Sequence, residues 1–149
     1  MIMIGDKRWG SDLFAYVSEF MKRYDALLQR LQARSSGIAD LDRNIKSIEG
    51  LYKFRRTLEV YAFLRFEPSA IALVSEAHRR IRDHFPEGEI FMEVLSDPSH
   101  PNGKELLISI STSLPPNEAI RGLDAIDDEW WLSASTNSSA DICIKVEYR

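Results

Sequence analysis

Cysteine is almost absent from this sequence, with Cys143 as the only one in 149 residues. A single cysteine cannot form an intramolecular disulfide, which favours a reducing compartment. No apolar run approaches the roughly 20 residues that span a bilayer. The N-terminal segment reaches Asp6 too early for the apolar core of a signal peptide. We therefore expect a cytoplasmic protein without membrane segments.

Glycine and histidine are too few or too scattered to form known cofactor and metal motifs. The seven glycines form neither GxGxxG nor GxxxxGK[ST], the loops that bind dinucleotides or ATP. His78, His84 and His100 form no HExxH pair, and no CxxC or GxSxG motif is present. His78 lies in an apolar stripe, which predicts a core histidine, and His100 is predicted to be solvated. The sequence therefore predicts no cofactor and no metal, and it does not favour an enzyme.

The charge is divided unevenly along the chain. Residues 1–85 hold 15 basic and 11 acidic residues, whereas residues 86–149 hold 4 basic and 12 acidic ones. The net charge of -4 argues against non-specific binding of nucleic acid by the whole chain. The two halves are expected to attract each other or to face different partners.

Apolar periodicity predicts an N-terminal helical hairpin. Apolar residues recur every three or four positions through residues 12–34, which predicts one long helix. Ser35–Gly37 is expected to break it, and a second stripe from Ile38 to Tyr52 predicts an antiparallel partner helix. At Gly50 either this helix bends or a new short helix begins near Thr57.

The rest of the chain alternates helical and strand patterns. A helix is predicted from Pro68 to Phe85, and another begins near Pro115. Period-2 alternation predicts strands at residues 89–97, 105–113 and 141–149, the first two joined by a turn at Asp97–Gly103. We expect a single α+β domain with a three-stranded, mainly antiparallel sheet. Residues 1–56 would be its helical hairpin or appendage, and residues 57–149 its core.

The stretch DDEWW, at Asp127–Trp131, is the most unusual feature of the C-terminal half. Helical spacing from Leu123 and Ile126 predicts that Trp130 lies in the core and that Trp131 is partly exposed. Three acids at a helix end meet the negative end of the helix dipole. Relief is expected from Asp124 or Asp127 capping a new helical turn, or from pairing with Arg79 or Arg82.

A resemblance rests on three tracts of residues 58–149. They are FPEGEIFMEVLSDP, LLISISTSLPPNEAIRGLDAIDDEWWL and ICIKVEYR, and LDxxDDEWW is the most specific element. They resemble a family of uncharacterised bacterial proteins without an established activity. The resemblance implies an α+β fold and a bacterial source, and it transfers no catalytic residue.

Three functional hypotheses follow. The first is a non-enzymatic interaction or regulatory module, homodimeric through the first helix or through the sheet face around Phe91 and Leu107. The second is a small metal-dependent enzyme acting on nucleic acid or phosphate esters. Its candidate ligands are Glu93, Asp127, Asp128 and Asp141. The third is nucleic-acid binding through an arginine-lined helix. The candidate partner-binding patch comprises Asp124, Asp127, Asp128, Trp131, Arg79, Arg80 and Arg82, and Cys143 is predicted to be a packing residue.

Overall fold

A computed structural model describes residues 7–99 and 103–149, with side chains from Gly10 onward. His100, predicted as a solvated turn residue, lies outside the described residues. The chain divides into two compact units, of which unit 1 ends at Asp40 and unit 2 comprises Leu41–Arg149.

A single helix replaces the predicted hairpin. Helix α1 is continuous over 45 residues, Lys7–Leu51, so the break at Ser35–Gly37 was wrong. One glycine costs a helix interior only about 1 kcal/mol relative to alanine, and serine costs less, so a long helix tolerates the sequence SSG. The alternatives at Gly50 are also resolved, because α1 ends at Leu51 and a new helix, α2, spans Thr57–Phe66.

Unit 2 contains the α+β core, and the predicted α+β class is confirmed. After α1 the chain forms a two-residue strand, β1, at Lys53–Phe54 and then α2. The remaining elements are α3 (Ser69–His84), β2 (Glu89–Ser96), β3 (Lys104–Thr112), α4 (Pro116–Ile126), a π-helical turn (Asp127–Trp131), α5 (Leu132–Thr136) and β4 (Ile142–Tyr148).

Within the described residues the sheet has four strands in the order β1-β2-β3-β4 and is mixed, which corrects the prediction of three mainly antiparallel strands. β2 and β3 form the predicted antiparallel pair, with Met92 opposite Ile108. β4 runs parallel to β3, with Ile108 beside Ile144, because the intervening helical segment carries the chain back across the sheet. β1 pairs in parallel with β2, and its two residues are too few to leave an alternation in the sequence.

The core lies between one face of the sheet and the helices. Met92, Ile108 and Ile110 are fully buried on that face, as are Val74 and Ile81 of α3. Ile45 and Ile48, near the C-terminal end of α1, are buried in the same cluster. The other face of the sheet, which we call the second sheet face, carries Phe91, Leu107, Ser109, Lys145 and Glu147.

Candidate interaction surfaces

Unit 1 exposes a long apolar stripe on α1. Within residues 10–40, eleven large apolar side chains are exposed, the most exposed being Phe14 at 75%. Ten of them occupy three of the seven positions of a heptad. Two of these positions form what we call the seam: Leu13, Val17, Phe20, Tyr24, Leu27, Leu31 and Ile38. The third position forms what we call the third row: Phe14, Met21 and Leu28.

The seam keeps the heptad spacing of four and three residues from Leu13 to Leu31. Arg34 takes the next position, and Ile38 resumes the series. The rings of Phe20 and Tyr24 stack, with their centroids 6.4 Å apart. No described helix is both long enough and apolar enough to cross a membrane.

In unit 2 the π-helical turn reverses the roles predicted for the two tryptophans. The backbone N–H of Leu132 donates to the carbonyl oxygen of Asp127, five residues earlier. This wider turn carries the buried face from Ile126 to Trp131, which is only 7% exposed. Trp130 is half-buried, so the prediction that Trp130 is the core anchor was wrong. The partner-binding role suggested for Trp131 loses its exposed surface for the same reason.

Trp130 instead forms the wall of a groove between α3 and α5. The guanidinium of Arg80 lies 5.5 Å from the centroid of the Trp130 ring. Glu76 accepts hydrogen bonds from Arg79 Nη2 at 2.6 Å and Arg80 Nε at 2.9 Å, and these bonds lower the pKa of Glu76 to about 2. The groove has a volume of about 490 Å³. Its lining residues are Ser69, Ala72, Leu73, Glu76, Trp130, Ala134, Asn137, Ser138 and Ser139.

The third arginine of the basic tract has a different role. Arg82 Nη1 donates to the carbonyl oxygens of Phe85 and Pro86 at 3.4 Å and to that of Gly88. It therefore fixes the loop that follows α3. All three arginines thus bind groups of their own chain, and neither Arg79 nor Arg82 pairs with the acids of the π-helical turn.

The acids Asp124, Asp127 and Asp128 gain neither form of relief predicted from the sequence. The backbone stays helical from α4 through the π-helical turn into α5, so the prediction that these acids lie at a helix end was wrong, and no side chain of the described residues caps the π-helical turn or α5. Burial, and secondarily the charges of Asp124 and Asp128, raise the pKa of Asp127. The acid of this tract that finds a partner is Glu129, whose Oε2 lies 3.2 Å from His84 Nε2.

The structure does not bring the candidate metal ligands and the thiol of Cys143 together into a cluster among the described residues. Among the described residues, no three histidine, cysteine or acidic side chains lie close enough to hold a metal ion. Glu93 binds Arg55. Cys143 is half-buried, and burial, followed by the charge of Glu105, raises the pKa of its thiol. His78 lies edge-on to the ring of Tyr52, with the ring centroids 5.4 Å apart.

Arg55 contacts several side chains of the second sheet face, a role that was not predicted from the sequence. Its Nη2 lies 3.0 Å from Glu147 Oε2 and its Nη1 3.3 Å from Glu93 Oε1. The guanidinium carbon lies 4.1 Å from the centroid of the Phe91 ring. Next to Phe91 in register, Ser109 Oγ is buried without a hydrogen-bond partner among the described residues. Arg55 follows a two-residue strand, so no pattern in the sequence places it over this face.

Known proteins provide no relative from which a function could be transferred. Neither a family model, nor a curated protein, nor a solved structure matches this chain. The resemblance of the LDxxDDEWW tract therefore stays an expectation, and function is inferred from geometry alone.

Proposed function

We propose that the protein is a non-enzymatic interaction module that assembles with copies of itself through the seam of α1. The observation that carries this proposal is the exposure of the seam side chains, from 48% at Val17 to 63% at Leu13. Soluble proteins rarely leave a contiguous apolar surface of this kind in water unless it serves an interaction.

The spacing of the seam favours a helix as the partner. A seven-residue apolar repeat faces a second helix along its whole length, because it follows the supercoil of packed helices. The other helices of the described chain have at most 16 residues, and α2, α3 and α4 each pack a buried face into unit 2, with Leu58, Phe66 and Ile120 as separate exposed apolar residues rather than a long stripe. A second copy offers a helix of matching length with apolar residues at matching positions. The minimal assembly is therefore a homodimer.

The surface is large enough for stable association. At about 150–250 Å² per aromatic side chain, the exposed fractions of Phe20 and Tyr24 leave roughly 160–270 Å² on one helix. The five aliphatic side chains of the seam are each about half exposed and add to this area. Together they supply most of the roughly 800 Å² that each partner contributes to a standard interface.

The test is the mass of the full chain in solution, measured by light scattering at micromolar concentration. The wild type is expected to give at least twice 17.1 kDa. Phe20→Glu with Leu27→Glu places two acids in the seam and should give the monomer. Gln29→Glu with Gln32→Glu adds the same charge on the polar side of α1 and should leave the mass unchanged.

Two results would overturn the proposal. One is a wild-type mass near 17.1 kDa across the concentration range. The other is a monomer that binds anionic lipid vesicles, since an amphipathic helix can also lie on a membrane surface. In that case the occupant of the seam would be lipid rather than a second copy.

A further inference from the structure

The third row makes the apolar arc of α1 wider than a two-stranded contact requires. At about 100° per residue, the two seam positions lie roughly 60° apart, and the third row lies about 40° beyond them. The full arc is therefore about 100°. A two-stranded coiled coil uses two apolar positions in seven, whereas a helix in the core of a bundle uses three.

Only one flank of the seam is apolar between residues 14 and 28. Phe14, Met21 and Leu28 occupy the third row, and each is exposed. The opposite flank carries Tyr16, Arg23 and Arg30. Two-stranded coiled coils usually carry charged residues on both flanks, where they form salt bridges between helices. Because the third row lies outside the seam, each helix of a seam dimer would still expose an apolar surface to water.

We infer that two α1 dimers join through their third rows into a four-helix bundle, with the paired rows antiparallel about Met21. This inference rests on the proposed self-association through the seam. A twofold contact brings the same patch of two copies together. Antiparallel pairing about Met21 places Met21 opposite its counterpart and Phe14 opposite Leu28, because Phe14 and Leu28 both lie seven residues from Met21. The arginines of the other flank point away from this contact.

The mass of three variants tests the stoichiometry. The wild type is expected at four times 17.1 kDa. Met21→Gln with Leu28→Gln should halve that mass and retain the helical content. Phe20→Glu with Leu27→Glu should reduce it fourfold, because a third row of three residues is too small to hold two helices together without the seam. Arg23→Gln with Arg30→Gln alters the opposite flank and should leave the tetramer intact.

Cross-linking tests the antiparallel register. In a Cys143→Ser background, Met21→Cys should give covalent dimers with a short bismaleimide. Leu28→Cys alone should not do so, but its mixture with Phe14→Cys should. Self-cross-linking of all three single-cysteine variants would mean that the rows are parallel and would overturn the register.

The outcomes separate this inference from the proposed function. A wild-type dimer whose mass is unchanged by the third-row variant overturns the bundle and leaves seam-mediated dimerisation standing. A third-row variant that becomes monomeric also overturns the bundle, because the two rows would then act as one surface. A wild-type monomer overturns both proposals.

Discussion

Ile126 and Trp131 are five residues apart and both face the core of unit 2. In an uninterrupted α-helix the residue below Ile126 on the same face would be Trp130. The hydrogen bond from Leu132 N–H to the Asp127 carbonyl widens one turn and shifts the inward position by one residue. This shift leaves Trp130 beside Arg80 in the groove between α3 and α5.

The two tryptophans are therefore expected to differ in their contribution to stability. Trp131→Ala should lower the free energy of unfolding by about 3–5 kcal/mol, because it removes a buried ring. Trp130→Ala removes a half-buried ring and should cost clearly less. Urea unfolding followed by circular dichroism measures both. A larger loss for Trp130→Ala would contradict the placement of the π-helical turn.

The sequence predicted the tryptophan tract and its acids as a structural feature but assigned the two rings to the wrong sides. Helical periodicity assumes a constant 3.6 residues per turn, and one π-helical turn breaks that assumption. The hairpin failed for a related reason. Ser35–Gly37 has the composition of a break, yet the energetic penalty of one glycine is small against a 45-residue helix.

Strands β2, β3 and β4 were predictable because each carries apolar residues at alternate positions of the sequence, which is the pattern of a strand with one apolar face. Strand direction was not, since alternation is the same in parallel and antiparallel pairs. β1 and the Arg55 cluster depend on a two-residue strand that leaves no periodic signal. The apolar stripe of α1 was predictable from the spacing of its residues. The spacing did not show whether a second helix of the same chain covers the stripe or leaves it exposed.

Gly122→Ala is expected to destabilise unit 2 by up to about 2 kcal/mol, because overpacking a filled core costs about 1–3 kcal/mol and the higher helix propensity of alanine offsets about 1 kcal/mol of it. A Cβ at Gly122 would lie 2.8 Å from Cζ of Phe85, and Phe85 is 1% exposed and cannot easily move away. The matched variant Gly37→Ala meets no atom within 4 Å and should raise helix stability by about 1 kcal/mol. Urea unfolding of Gly122→Ala and the thermal loss of helicity of Gly37→Ala measure the two effects. A stabilising Gly122→Ala would show that α4 does not pack this closely against Phe85.

Arg55→Met is expected to lower the free energy of unfolding by about 1 kcal/mol at pH 7. The loss is modest because Arg55 is about a third exposed and water screens its ion pairs. Arg56→Met changes the neighbouring arginine, which is 75% exposed, and should have a smaller effect.

The effect of Arg55→Met should also depend on pH. The hydrogen bond from Arg55 lowers the pKa of Glu147 in the folded state. A lowered acid pKa contributes stability that is fully present above the unfolded value of about 4.3 and is lost as the pH falls through the folded value. The difference between wild type and Arg55→Met should therefore hold above about pH 5 and narrow in acid. A difference that grows on acidification would exclude the Arg55–Glu147 pair as its cause.

The ionised carboxylate of Asp127 should oppose folding at neutral pH. Burial and the charges of Asp124 and Asp128 raise the pKa of Asp127 in the folded state, so its ionised form is less favourable there than in the unfolded chain. Asp127→Asn should therefore stabilise the protein at pH 7 by a few tenths to about 1 kcal/mol, since it also removes the repulsion from the charges of Asp124 and Asp128. The gain should disappear below about pH 3.8, where the wild-type carboxyl is protonated in both states.

Glu118→Gln provides the matched control near the N-terminal end of α4. Glu118 interacts favourably with the helix dipole there, so its loss should be slightly destabilising. Urea midpoints of both variants at pH 7 and pH 3 measure these effects. If Asp127→Asn destabilises the protein at pH 7, the carboxylate makes a stabilising contact in the folded state, and the unfavourable placement inferred for Asp127 is wrong.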